Sequence, residues 1–247
     1  MQYIREVGHS SFLIDEKNLI DAGDVLGTLG EKSIALETVW ITHSHLDHIV
    51  DLAFIVDEYF DKRSKTLKIM AHKETIEALK AHVFNNVIWP DFSTIPLSNG
   101  EMALSYEVLD IEKTYPLESG KEIKAFICDH TVASVGYIVS QEDKAILISS
   151  DTYSLEAVVG CIEENSNIHT LIVECSFPVR MDALAKVSKH LTPDLLFGGI
   201  TSLESRGLKL YINHIKHSYE TEIIKEIRVR KGQWNVHILE EGETIDL

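Results

Sequence analysis

Short apolar runs separated by turn residues open the chain. Residues 3–7, 12–14 and 19–20 read as sheet strands joined by tight turns at Gly8-His9-Ser10 and Asp15-Glu16-Lys17-Asn18. Asp21-Ala22-Gly23-Asp24 ends this run as a loop, and Val39-Trp40-Ile41-Thr42 reads as a further buried strand. The period then changes. Ile49, Leu52, Ala53, Val56 and Tyr59 recur at helical spacing, which predicts a helix beginning near Asp47 or His48. Residues 67–71 form the next apolar run, and 73–82 predict an amphipathic helix. Residues 84–100 hold no clean period. Their asparagines, Trp89, Pro90 and Phe92 suggest an ordered loop, either pinned to the surface by its aromatics or forming the wall of a concave site.

Strands dominate again at 103–109, 122–128, 135–139 and 145–148. From there strand alternates with helix: helices at 154–164, 181–189 and 218–230, and strands at 170–173, 208–212 and 236–239. Thr192-Pro193-Asp194 is a helix start, pairing an N-cap with a proline in the first turn. No linker or low-complexity segment divides the chain. Each half is thus strands first, then strand–helix units. That pattern suggests two packed sheets with helices outside, a four-layer αββα sandwich in a single α/β (α+β) domain over residues 1–247, with a three-layer α/β sheet as the alternative.

Composition narrows the range of functions. In 247 residues, 39 Asp and Glu against 23 Lys and Arg give a formal charge of −16. Such a chain repels polyanions overall and argues against a nucleic-acid polymer or an anionic membrane surface as partner. Cys128, Cys161 and Cys175 show no CxxC spacing, which suggests a reducing compartment without a disulfide framework. No signal peptide and no apolar run of membrane-spanning length is visible, so the expected location is cytoplasmic.

The chemistry concentrates in His43-Ser44-His45-Leu46-Asp47-His48, directly after a predicted buried strand. Neutral imidazoles and a carboxylate this close together are suited to holding zinc, manganese or iron. His43 and His45 can reach one ion; Asp47 and His48 can reach a second. Three later residues also follow predicted strands: His130, Asp151 and His214. Strand ends hold a side chain rigidly while leaving it accessible. Taken singly, each has a plainer reading. Lone histidines commonly pack or face solvent, Asp151-Thr152 could be a helix cap, and His9, His72 and His82 read as structural or surface residues.

The motif HSHLDH, a later His, Ser-Asp-Thr and a last His resemble the metallo-β-lactamase superfamily of binuclear hydrolases, over nearly the whole chain. The resemblance implies His43, His45 and His130 on one metal and Asp47, His48 and His214 on the other, with Asp151 bridging. It implies two divalent ions, zinc first, with manganese or iron as alternatives. The stretches at 82–90 and 174–178, His190-Leu191-Thr192-Pro193 and His214-Ile215-Lys216 further resemble the class II 3′,5′-cyclic-nucleotide phosphodiesterases. This second resemblance implies hydrolysis of cyclic AMP or cyclic GMP to the 5′-monophosphate by a metal-bridging hydroxide, with Asp47, His190 and Glu174 as the expected catalytic groups. In this scheme His190, oriented by Glu174, protonates the leaving oxygen; a purely structural hydrogen bond between them is the alternative. The expected partner is a small phosphodiester, and relatives of this fold often pair as homodimers. Other readings share the ligands: an RNA 3′-processing nuclease, a thioesterase or lactonase, and a diiron oxidoreductase. The nuclease would need a basic face that this sequence lacks, and the diiron proteins usually carry Glu where His45 stands. A binding role without catalysis is weakest, because no ligand of the set is lost.

Overall fold

The computed structural model describes residues 1–4 and 10–247. The expected strand at 3–7 is seen as β1 (Gln2–Ile4); the rest of it, the turn at Gly8 and His9 lie outside the described residues. The chain forms two compact units, Met1–Asp110 with Glu240–Asp246, and Ile111–Leu239.

The first unit is built on a six-stranded sheet. Its strands are β1, β2 (Ser11–Asp15), β3 (Asn18–Ile20), β4 (Thr38–Trp40), β5 (Leu67–Ala71) and β6 (Leu104–Val108), side by side in chain order. The first three pair antiparallel as hairpins, and β3 through β6 run parallel. Parallel strands need crossovers, which carry the helices. These are α1 (Leu26–Leu29), α2 (Leu46–Ile49), α3 (Leu52–Asp57) and α4 (Lys73–His82). One core, including Leu19, Val39, Ile41, Leu52, Ile69 and Phe84, fills this unit. The chain's last residues return to it: Ile245 N–H donates to the Met1 carbonyl at 2.8 Å, and Thr244 bridges to Gln2.

The helix expected from about residue 47 is broken into α2 and α3, and Asp51 explains the break. Its N–H donates to the Ala22 carbonyl, and its carboxylate accepts the N–H groups of Val25 and Leu26 at 2.7 and 2.9 Å, at the start of α1. The residue that would continue one helix instead caps another.

The second unit carries a seven-stranded sheet in the order β13-β12-β11-β10-β9-β8-β7. These are β7 (Thr114–Pro116), β8 (Glu122–Cys128), β9 (Ser134–Gln141), β10 (Lys144–Ile148), β11 (Ile168–Glu174), β12 (Lys209–Asn213) and β13 (Asn235–Ile238). Strands β10 to β13 run parallel; β7, β8, β9 and β10 pair antiparallel. Helices α5 (Glu156–Glu164), α6 (Asp182–Ser188), α7 (Pro193–Gly199) and α8 (Glu220–Arg230) accompany them around a second core. Two antiparallel steps return β8 to the direction of β10. The C-terminal ends of β8, β10, β11 and β12 therefore share one sheet edge, where ligands bind in parallel sheets. Among the described residues no helix is long and apolar enough to cross a membrane.

Candidate metal centre

In the first unit, Asp21 directly follows β3 and adopts a left-handed backbone, φ 58°. Its N–H donates to the Trp40 carbonyl at 2.9 Å, holding it beside the end of β4. The buried carboxylate accepts the Thr42 N–H at 2.8 Å, the Thr42 hydroxyl at 2.8 Å and His48 Nδ1–H at 2.8 Å. Burial pushes the Asp21 pKa up; His48 and the Thr42 groups pull the other way. With Nδ1 tied to a carboxylate, His48 keeps its Nε2 lone pair for a cation, the usual support of a metal-binding imidazole. Thr42 Oγ1 lies 3.0 Å from His43 Nδ1, and His43 Nε2 lies 3.1 Å from His45 Nδ1. Asp47 is partly exposed, its carboxylate 4.0 Å from His48 Nε2. The four residues of the motif thus come together, with His43 and His48 buried.

In the second unit the same logic recurs around Asp151. His130 follows β8, Asp151 follows β10 and His214 follows β12; all three are buried. His130 donates Nδ1–H to the Lys189 carbonyl at 3.0 Å, leaving Nε2 at 4.0 Å from Asp151 Oδ2. Burial pushes the His130 pKa down against the charge of Asp151, which favours the neutral, coordinating form. His214 Nδ1 pairs with the Ser176 hydroxyl at 2.9 Å, leaving Nε2 at 3.4 Å from the same Asp151 oxygen. Asp151 caps no helix: α5 begins only after Leu155.

His190 Nδ1 also lies within reach of Asp151, at 3.9 Å, so Asp151, His190 and His214 form a candidate ligand group by distance alone. That nitrogen is already committed to Glu174 Oε1 at 3.0 Å. Glu174, at the end of β11, is fully buried and also accepts the Thr152 N–H, the Ser176 hydroxyl and the Leu191 N–H. Burial alone would push the His190 pKa down. The charge and hydrogen bond of Glu174, with Asp151 behind them, outweigh it and leave His190 above the ordinary imidazole range. Glu174 thus orients the His190 ring through Nδ1 and favours its charged form.

Within each unit the donors suit divalent cations: imidazole nitrogens held in one tautomer from behind, beside carboxylate oxygens. Sequence reading missed the groups that do the holding. Asp21, Thr42, Ser176 and the Lys189 carbonyl were not anticipated. Asp21 could have been found, because it follows a strand as His130, Asp151 and His214 do. Phe92 is buried in the core of its unit, and Phe177 is buried against His190 and Tyr219. Trp89 instead lines a groove beside His45.

Residues 28–122 match the family model of class-II cAMP phosphodiesterases. The 3′,5′-cyclic-nucleotide phosphodiesterase of Schizosaccharomyces pombe is 22% identical over 183 residues, covering 69% of this chain and 52% of the relative. The 3′,5′-cyclic-nucleotide phosphodiesterase 1 of Saccharomyces cerevisiae is 25% identical over 250 residues, covering 84% of this chain and 66% of the relative. The chain therefore spans between half and two-thirds of these relatives' lengths. Among solved structures, unliganded yeast PDE1 superposes with a TM-score of 0.74 at 22% identity, over 87% of this chain and 70% of that one. The metallo-β-lactamase fold protein YhfI from Bacillus subtilis gives 0.71 at 18% identity, over 95% and 89%. The mixed α/β architecture read from the sequence is thus the metallo-β-lactamase fold, and within it residues 28–122 carry the class-II cAMP phosphodiesterase match.

Proposed function

We propose that the protein is a metal-dependent phosphodiesterase that hydrolyses a 3′,5′-cyclic nucleotide to the 5′-monophosphate. The observation that carries this reading is the ring of buried imidazoles around Asp151, each with Nδ1 engaged elsewhere, in a chain whose residues 28–122 match the class-II family model. We further propose that His43, His45, Asp47, His48, His130, Asp151 and His214 serve together as the ligands of two divalent ions. Such ions, when bound, acidify a coordinated water and neutralise charge building on a phosphoryl group.

The chain's own groups account for the remaining chemistry. Water adds to phosphorus, the bond from phosphorus to the 3′ oxygen breaks, and the departing oxygen needs a proton. His190 supplies it from Nε2, since Glu174 holds Nδ1 and favours the charged imidazole. Glu174 is itself fixed by backbone N–H groups of Thr152 and Leu191, so the pair is oriented before substrate arrives. The net charge of −16 counts against a folded RNA as substrate.

The test is a panel on metal-replete protein: cyclic AMP, cyclic GMP, bis(p-nitrophenyl) phosphate, a tRNA precursor and a thioester. The expected outcome is turnover of the cyclic nucleotides to 5′-monophosphates. Turnover of the thioester alone would overturn the phosphodiester reading, and cleavage of the tRNA precursor alone would replace it with RNA processing.

A further inference from the structure

A groove of about 730 Å³ opens in the first unit beside the histidine motif. Ser44 and His45 are among its lining residues, so it reaches the candidate ligands. Its other walls come from α2, α3, α4 and the loop after α4, and they are almost entirely hydrocarbon. Two aromatics stand in the wall: Phe54, 41% exposed, and Trp89, their ring centroids 5.1 Å apart and edge to face. Leu46 and Ile88, 67% and 66% exposed, line it as well. Clustered aliphatic and aromatic exposure on this scale marks a binding surface. The loop that supplies Ile88 and Trp89 is held in shape by Asn85, whose side chain accepts the N–H groups of Val87 and Ile88 at 2.9 and 2.8 Å. Its lining therefore does not need to be ordered by the ligand, which favours a preformed pocket.

We infer that this groove is the seat of the base, and that it holds the base by stacking and burial rather than by reading its hydrogen-bonding edge. The inference rests on the proposed phosphodiesterase activity. A substrate whose phosphoryl group sits at the histidine motif must direct its remaining bulk somewhere, and here an aromatic-walled groove begins at His45. Adenine and guanine differ in their polar edges and share a flat π-face. Besides His45, the lining carries only the Ser44 hydroxyl, the His82 imidazole and the Trp89 indole N–H, and the last is buried in the wall rather than presented to the groove. Discrimination between bases requires buried polar groups that the wrong base leaves unpaired. Stacking on aromatic side chains is tolerant of base identity. The groove thus specifies a planar, largely apolar group joined to a phosphodiester, with little preference between purines.

The experiment combines binding and kinetics on the full chain, with Ile88→Asp and Trp89→Ala as variants. Binding is read with N-phenyl-1-naphthylamine, an uncharged fluorescent probe. The expected results are probe binding to the parent that weakens about ten-fold or more in each variant, in Trp89→Ala by loss of roughly one stacked aromatic contact and in Ile88→Asp by a charge placed on the apolar wall. Cyclic AMP and cyclic GMP should have kcat/KM values within about five-fold of each other, and KM for both should rise in the variants with bound metal unchanged. A preference between the two nucleotides above about fifty-fold would overturn edge-blind recognition, since that size of effect needs specific polar contacts. Variants that bind the probe and both nucleotides as the parent does would overturn the groove as the base site. Conversion of a dimer to a monomer by Ile88→Asp would assign the surface to a second copy of this chain and also overturn it. Probe binding that depends on Ile88 and Trp89 in a protein that cleaves no phosphodiester would defeat the catalytic reading instead, and the base-site inference with it. That pattern differs from the previous ones, in which the nucleotides are cleaved.

Discussion

Among the described residues with a left-handed backbone and a side chain, Asp21, Ser150, Lys189 and His214 each are, or adjoin, a group of the candidate centre. Only Asn86 and Glu142 of that set lie elsewhere. Such conformations cost on the order of 1–3 kcal/mol each and persist where the surroundings impose them. At Asp21 the strained backbone aims the carboxylate at Thr42 and His48. Asp21→Asn should therefore keep the fold and weaken metal binding by about 10- to 100-fold, read by chelator competition, because a neutral amide supports the imidazole less well. At His190 the raised pKa sets a sign for the pH profile. The proposed acid is active while protonated, so kcat is expected to fall as pH rises through that pKa. Glu174→Gln removes the main group raising it and should move this alkaline limb to lower pH, with lower kcat. His190→Ala should abolish the limb and lower turnover with metal content unchanged. Loss of bound metal to the same degree would make His190 a ligand.

At the scale of elements, a single buried side chain holds several pieces of the first unit. Arg63 is 2% exposed and donates to the carbonyls of Ser33, Leu36 and Ile55, at 2.9, 3.1 and 3.4 Å. It thereby joins α3 to the 3-10 segment Gly30–Ala35. Burial pushes its pKa down to about 10, still protonated at neutral pH. Arg63→Ala strips these carbonyls of their donors and should cost about 3 kcal/mol, visible as a lower urea midpoint. The tight crossovers that Arg63 holds were not legible in the sequence, because α1 and Gly30–Ala35 are short, without an apolar period, and depend on distant donors and acceptors such as Arg63 and Asp51. Elements with a strong period were legible: β5, α4 and β8 lie where the pattern put them. So was the placing of the proposed ligands His130, Asp151 and His214 at strand ends. Their supporting groups were not, since Ser176 or a main-chain carbonyl at Lys189 leaves no mark in composition or spacing.

At the scale of the whole molecule, each unit has its own core and its own set of donors. A metal bound only by the native state raises stability by linkage. EDTA treatment should lower the melting temperature, and zinc or manganese should restore it. If the proposed ligands act together, the metal-loaded chain should melt in one transition, and the stripped chain at lower temperature. The way the chain is divided also bears on its synthesis. The second unit is contiguous apart from Leu247, whereas the first is closed by Glu240–Asp246, whose Ile245 bonds back to Met1. On a ribosome, where residues emerge in order, Met1–Asp110 waits for Glu240–Asp246 to complete its unit. A nascent chain arrested before Glu240 would thus hold all of Ile111–Leu239 while its earlier-made sheet still lacked a closing piece.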